Sequence, residues 1–173
     1  MLEPVRAGRK ACAAFYGHPG VFVRPSHEAV RRARAEGHEA RMLPAVSAED
    51  SLFADLGVDP AVGGCASYDA TSFLQRERPL DTGAALVLWQ VAAIGETRAV
   101  ASGEHGRNLP LLAERLLRHY PPAHEVVLYE ASPFPVAPPF VQRLTLSALA
   151  EAAPPAQATL YVPPIASDGA SAR

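Results

Sequence analysis

Phe15-Tyr16-Gly17-His18-Pro19-Gly20-Val21-Phe22-Val23 is the stretch whose reading decides the fold. Just before and into it, residues 11–16 are small and apolar, which reads as a buried strand. Just after it, Pro25-Ser26 opens a helix with Ser26 as the cap. The stretch is therefore predicted as a strand-to-helix loop at the carboxyl end of a strand, where open α/β sheets bind their ligands. Gly17 and Gly20 allow positive φ or a close approach to the backbone, and Pro19 fixes one φ. Val21 and Phe22 are apolar where a plain surface loop would be polar. Bare backbone beside apolar walls suits a flat, partly apolar ligand with polar ends, such as a nucleoside. A tight turn with two hydrophobic anchors fits the same residues, and spacing alone leaves both readings open.

Working outward, residues 2–9 read as the end of a helix closed by Gly8. A helix runs from Ser26 to about residue 36, with Ala29, Val30 and Ala33 on its buried face, and ends at Gly37. Residues 38–43 return as a strand, so that strand, helix and strand form a βαβ unit. Ser47-Ala48-Glu49-Asp50 is a capping-box pattern before a helix that buries Leu52, Phe53 and Leu56 and stops at Gly57. Asp59-Pro60 and Gly63-Gly64 make turns. Residues 65–74 are ambiguous between strand and helical turn. The charged, Pro-broken run at 75–83 reads as a join between two lobes, residues 1–80 and 81–165, followed by a disordered tail at 166–173.

In the second lobe, residues 84–90 form a near-continuously apolar strand. Residues 92–100 are a short strand or loop. Asn108-Leu109-Pro110 caps a helix to residue 119 with Leu111, Leu112, Leu116 and Leu117 as its stripe. Residues 125–130, 140–146 and 159–162 read as strands. Residues 132–139 form an irregular connection, and residues 147–153 a short helix.

The chain has 173 residues, 49% of them hydrophobic, and a formal net charge of −2. That bounds it to one ordinary domain or two small ones and argues against nucleic acid as a partner. Cys12 and Cys65 form no CxxC pair and read as reduced, buried thiols. The first ten residues lack a signal-peptide apolar core, and no apolar run is long enough for a membrane helix, so a cytoplasmic protein is expected. The six histidines show no metal-binding spacing. No nucleophile elbow, P-loop or dinucleotide fingerprint is present. His18 inside the loop and Tyr16 at its start are the candidate chemical groups, each also readable as structural.

The 15–23 string, with Met42-Leu-Pro-Ala-Val-Ser-Ala-Glu-Asp50 and Leu52-Phe53-Ala-Asp-Leu-Gly57, resembles the tetrapyrrole methylase family, the class III S-adenosylmethionine (SAM) methyltransferases. The resemblance is strongest to its branch of borosin-type peptide-backbone N-methyltransferases. Leu88-Trp89-Gln90-Val91, Tyr129-Glu-Ala-Ser132 and Thr159-Leu-Tyr-Val-Pro-Pro164 match in the same order. The resemblance implies two α/β lobes with SAM between them. It implies cofactor contacts from Gly17, His18 (in place of the family's acid), Pro19, Val21, Phe22, Ser47, Ala48, Gln90 and Val91. Weaker correspondences are Tyr129, Val162 and Pro163. Tyr68 and Trp89 read as core.

Family members begin with a strand and a Gly-rich turn that wall the SAM site, and the branch's tyrosines and arginine proposed for catalysis precede this loop. The resemblance therefore implies a first lobe incomplete at the amino end, with Tyr16 the remaining candidate base. A peptide amide or a tetrapyrrole is the implied acceptor, and a homodimer or a complementing chain the implied partner. The alternatives are a non-catalytic truncated or partner subunit, or a methyltransferase acting on a tetrapyrrole carbon or an RNA ribose.

Overall fold

The computed structural model describes residues 1–96, 105–134 and 136–166. It divides into two compact units, Met1–Ala54 and Asp55–Arg173. The sequence set its boundary after residue 80; the division falls earlier because strands on both sides of that point belong to one sheet.

In the first unit, α1 (Glu3–Arg6) ends at Gly8, whose φ is 72°. The Arg6 guanidinium donates from Nε and Nη2 to both carboxylate oxygens of Glu36, at 2.7 and 2.6 Å. Helix α2 (Arg24–Ala35) carries Pro25 in its first turn, where a missing N–H costs nothing. Its end is a Schellman closure: Gly37, at φ 82°, donates to Arg34 O, and His38 donates to Ala33 O. Helix α3 (Ala48–Leu56) buries Leu52 and stops before Gly57 at φ 65°.

Two expectations fail here. Residues 11–16 and 38–43 form no strand, and the predicted βαβ unit is absent among the described residues. A strand persists where a neighbour takes its backbone hydrogen bonds, and among the described residues neither segment pairs with another. Their side chains do not compensate: Cys12 is exposed rather than buried, and so are Ala13, Ala14 and Leu43. Ser26 is not the helix cap either. That position is Val23, and the Ser26 hydroxyl sits in the first turn, facing the carbonyls of Pro19 and Val23.

The second unit is a five-stranded sheet in the order β1-β2-β5-β3-β4. Its strands are β1 (Cys65–Asp69), β2 (Ala85–Trp89), β3 (Glu125–Glu130), β4 (Phe140–Thr145) and β5 (Thr159–Val162). The ambiguous 65–74 stretch is both of its options in turn. It is β1, then α4 (Ala70–Gln75), which starts where Asp69 accepts from Ser72 N at 2.8 Å. β1 and β2 pair in parallel across that helix, and the remaining pairs are antiparallel. All residues of β2 and β5 are buried, as their unbroken apolar runs require.

On one face, Leu86, Leu88, Leu160, Val162, Val126 and Leu128 pack with α5 (Leu109–Leu117) and with the 3-10 turn Leu146–Glu151. The stripe of α5 is Leu109, Leu112, Ala113 and Leu116, an i, i+3, i+4, i+7 set. Leu111 and Leu117 fall outside it and are exposed. Asn108 holds the cap position, but its amide donates to Ile94 O at 2.7 Å instead of capping. Residues 91–93 form a 3-10 turn rather than a strand; residues 97–100 of that predicted segment and the tail from 167 lie outside the described residues. Among the described residues, no helix is long and apolar enough to cross a membrane.

Leu160 is fully buried in the central strand, between β2 and β3. Leu160→Ala is expected to lower unfolding free energy by about 3 kcal/mol, read as a reduced urea midpoint with an unchanged slope.

Candidate cofactor site

The loop after residue 16 is shaped by three local devices. Gly17 lies at φ 75°, a conformation other residues adopt at a cost, and a Cβ there would meet Val46 O at 3.8 Å. Gly20 serves a different end. Its φ is ordinary, but a Cβ would lie 2.8 Å from Met42 Sδ, so the glycine is set by packing against the returning chain. His18 then folds over this point: Gly20 N donates to His18 Nδ1 at 2.9 Å, which fixes the proton of a neutral ring on Nε2. His27 Nε2 lies 2.8 Å from Gly20 O. Pro19 O is held by the Ser26 hydroxyl. A backbone tied at residues 18, 19 and 20 is a rigid rather than a pliant surface.

The start of α3 stands beside this loop. Ser47 N donates to Asp50 Oδ2 at 2.7 Å, and Asp50 N donates back to Ser47 Oγ at 3.3 Å, which is the reciprocal pattern the sequence predicted. The Ser47 hydroxyl also reaches Asp50 Oδ2 at 3.0 Å. Asp50 is held below the usual carboxylate range, first by the Ser47 N–H, then by the Ser47 hydroxyl, and also by the nearby His18 ring. Thus the first unit brings Gly17, His18, Pro19, Ser47 and Ala48 together. Ser47 is buried with its hydroxyl engaged in the cap, while Ala48 is exposed. Val21 is half-buried and Phe22 exposed. Tyr16 is 76% exposed.

In the second unit, Gln90 follows β2 in the left-handed region, at φ 59°. Val91 is buried and donates to Ala158 O at 3.1 Å. Tyr129 pairs with Thr159 near the same end of the sheet. Its ring is buried and its hydroxyl donates to Asp55 Oδ2 at 2.7 Å; burial, then that bond, raises its pKa. Val162 pairs with Leu86, at the opposite end of the ladder, and Pro163 O faces His124 Nε2 at 2.9 Å. Four residues of strand, roughly 13 Å, separate Ala158 from Val162. So Gln90, Val91 and Tyr129 share one end of the sheet, and Val162-Pro163 stands at the other.

Phe22 (φ 55°) and Gln90 (φ 59°) are the non-glycine residues at positive φ among the described residues, and both belong to the predicted cofactor set. Such strain concentrates at functional sites. The sequence carries no signal for it, since neither residue type favours that region. Sequence reasoning also missed Met42 and His27 as supports of the loop. A rigid glycine-bearing loop, a strained exposed aromatic and a capped helix start fit a ligand with polar ends and an apolar ring. Among the described residues, no group of three His, Cys, Asp or Glu is placed to hold a metal ion.

Residues 1–132 match the tetrapyrrole (corrin/porphyrin) methylases. A methyltransferase/ribosomally synthesized cyclic peptide dendrothelin A precursor from Dendrothele bispora is 45% identical over 168 residues, covering 95% of this chain and 40% of that protein. The corresponding omphalotin A precursor from Omphalotus olearius is 42% identical, with the same coverage of 95% and 40%. The chain thus spans about two-fifths of the length of these curated relatives. The crystal structure of the methyltransferase CobJ superposes with a TM-score of 0.65 at 19% identity, over 94% of this chain and 68% of that one.

Ser47→Ala is expected to cost about 1 kcal/mol through the lost cap, read as a lower melting temperature. The depressed Asp50 pKa makes the bond's contribution present above the unfolded value and lost as pH falls through the folded one. The melting-temperature gap between the natural chain and Asp50→Asn should therefore be widest near neutral pH and close below about pH 4.

Proposed function

The chain belongs to the tetrapyrrole (corrin/porphyrin) methylase family, and on that premise we propose that it is a SAM-dependent methyltransferase segment whose acceptor is a peptide backbone amide. One observation carries the acceptor: the 45% identity, over 95% of the chain, to a protein whose name joins a methyltransferase to a cyclic peptide precursor. The likeness to CobJ, at 19% identity, supports the fold and says nothing of substrate.

Bound SAM supplies an electrophilic methyl group on a sulfonium centre. The chain's own residues do the rest. The Gly17-His18-Pro19 backbone and the Ser47-Ala48 turn take the polar, methionine end of the cofactor. Val21 and Phe22 would wall its apolar part, Gln90 and Val91 would cover the ribose or adenine, and Tyr129 at their end of the sheet would contribute more weakly to the adenine, whereas Val162-Pro163 stands too far along the strand to join them. Tyr16, exposed beside Gly17, is the candidate base for the amide proton, a role its side chain would perform as the phenolate. Alignment of the two centres and exclusion of water supply the acceleration. The reading extends to a cytoplasmic protein working as a homodimer or with a complementing chain. Exposed Phe134, Val136, Phe140 and Val141 on and beside β4, at the edge of its sheet, support such association.

Calorimetry with SAM and S-adenosylhomocysteine tests the cofactor, and mass spectrometry of an incubated peptide tests the acceptor. Binding of both ligands and a +14 Da product are expected; no heat from either ligand would remove the cofactor reading. Gln90→Gly separates strain from fold. It should raise stability by about 1 kcal/mol by relieving the left-handed conformation, yet weaken ligand binding several-fold. Higher stability with unchanged affinity would take Gln90 out of the site.

A further inference from the structure

Charge is unevenly divided along the chain. Residues 1–54 hold eight Arg or Lys against six Asp or Glu, whereas residues 55–173 hold eight against twelve. Within the first unit, much of the basic excess gathers at one open cavity of about 520 Å³. Its lining is His27, Val30, Arg31 and Arg34 of α2, with Arg41 and Met42 from the segment that returns beside it. Arg31 and Arg34 stand one turn apart on the same helix face.

Local acids do not neutralise this groove. Glu28 is shared: Arg31 donates to both its oxygens at 2.8 and 2.7 Å, and Arg32 Nε shares one of them at 2.5 Å. That sharing depresses Glu28 to a pKa of about 2, so the carboxylate stays ionised, but one negative charge serves two guanidiniums. Arg34 Nε donates to the neutral Ala40 carbonyl at 2.9 Å, which orients the side chain without cancelling its charge. Among the described residues, neither Arg34 nor Arg41 is ion-paired. Guanidiniums are forks that match carboxylates two bonds at a time.

We infer that this groove docks an acidic peptide segment, its carboxylates on Arg34 and Arg41, with the Glu28-held Arg31 adding its charge to the wall, and its aliphatic parts on Val30 and Met42. The volume suits a few side chains rather than a folded surface. No Phe, Tyr or Trp lines the groove and its one imidazole, His27, is tied to Gly20 O, so the groove lacks the row of stacking rings of a single-stranded nucleic-acid site. The groove shares a wall with the candidate cofactor loop: His27 bonds Gly20 O and Met42 Sδ backs Gly20. Resting on the peptide acceptor proposed above, the docked segment is an acidic stretch of that acceptor, held beside the loop while a neighbouring amide reacts.

Fluorescence anisotropy on the 173-residue chain tests this, using labelled octapeptides of Glu and Ala or of Lys and Ala, and an oligothymidylate of eight nucleotides. The acidic peptide should bind, the basic one should not, and affinity should fall on going from about 50 to about 200 mM salt. Arg31→Ala/Arg34→Ala/Arg41→Ala should weaken binding at least tenfold with an unchanged circular dichroism spectrum. The Glu triple at the same positions should gain affinity for the Lys peptide, a gain that misfolding cannot produce. Unchanged acidic-peptide affinity in the Ala triple, no affinity in the natural chain, or tighter oligothymidylate binding that the triple abolishes would each overturn the proposal. Calorimetry with S-adenosylhomocysteine runs alongside. Cofactor binding without peptide binding would sink the groove alone, and peptide binding without cofactor binding would sink the methyltransferase reading alone.

Discussion

Every extended segment in this protein depends on whether a neighbour accepts and donates its backbone hydrogen bonds. In the second unit β5 meets that demand on both sides at once. It pairs antiparallel with β2 through Leu86–Val162, Val87–Tyr161 and Leu88–Leu160, and with β3 through Val127–Tyr161, Leu128–Leu160 and Tyr129–Thr159. Four residues therefore join the parallel β1–β2 pair to the β3–β4 hairpin. The two layers of apolar side chains above and below are aligned by that register, because a slip of one residue would turn Leu160 and Val162 to the other face. In the first unit no such partner exists among the described residues. Residues 11–16 and 38–43 are held instead by what flanks them: the tied loop at 18–20, the Schellman closure of α2 and the cap of α3.

This contrast explains what the sequence made legible. The 125–130 and 159–162 strands were read with their true bounds, and 84–90 nearly so, because an unbroken apolar run is a property of the strand itself. The capping box at Ser47 and Asp50 is equally local, with partners three residues apart, and was read correctly. Pairing is not local. The small apolar run at 11–16 looks like a buried strand, and nothing in those residues says whether a neighbour is present. In α5 the five leucines after the cap gave the period but not its phase, so Leu111 and Leu117 were assigned to the core in place of Leu109 and Ala113.

The candidate site divides along the same line. Gly17 was legible as a positive-φ glycine. Gly20 was read with Gly17 for positive φ or backbone access, but its reason is a thioether twenty-two positions away, which sequence spacing cannot show. Ser47 was named for a ligand, and its hydroxyl is engaged in the cap. The backbone conformations of Phe22 and Gln90 are imposed by tertiary structure on residues that would not choose them, which is why they are informative.

The central place of β5 also sets the order in which the chain can acquire its structure during synthesis. Residues 159–162 leave the ribosome after every other strand of the sheet, yet they occupy its middle. Until they arrive, the β1–β2 pair and the β3–β4 hairpin each display an open inner edge, and at translation rates of roughly 5–20 residues per second that interval lasts seconds. The nascent second unit is then two half-sheets awaiting a common strand. A cell would have to shield those edges from other nascent chains until Thr159–Val162 is threaded between them.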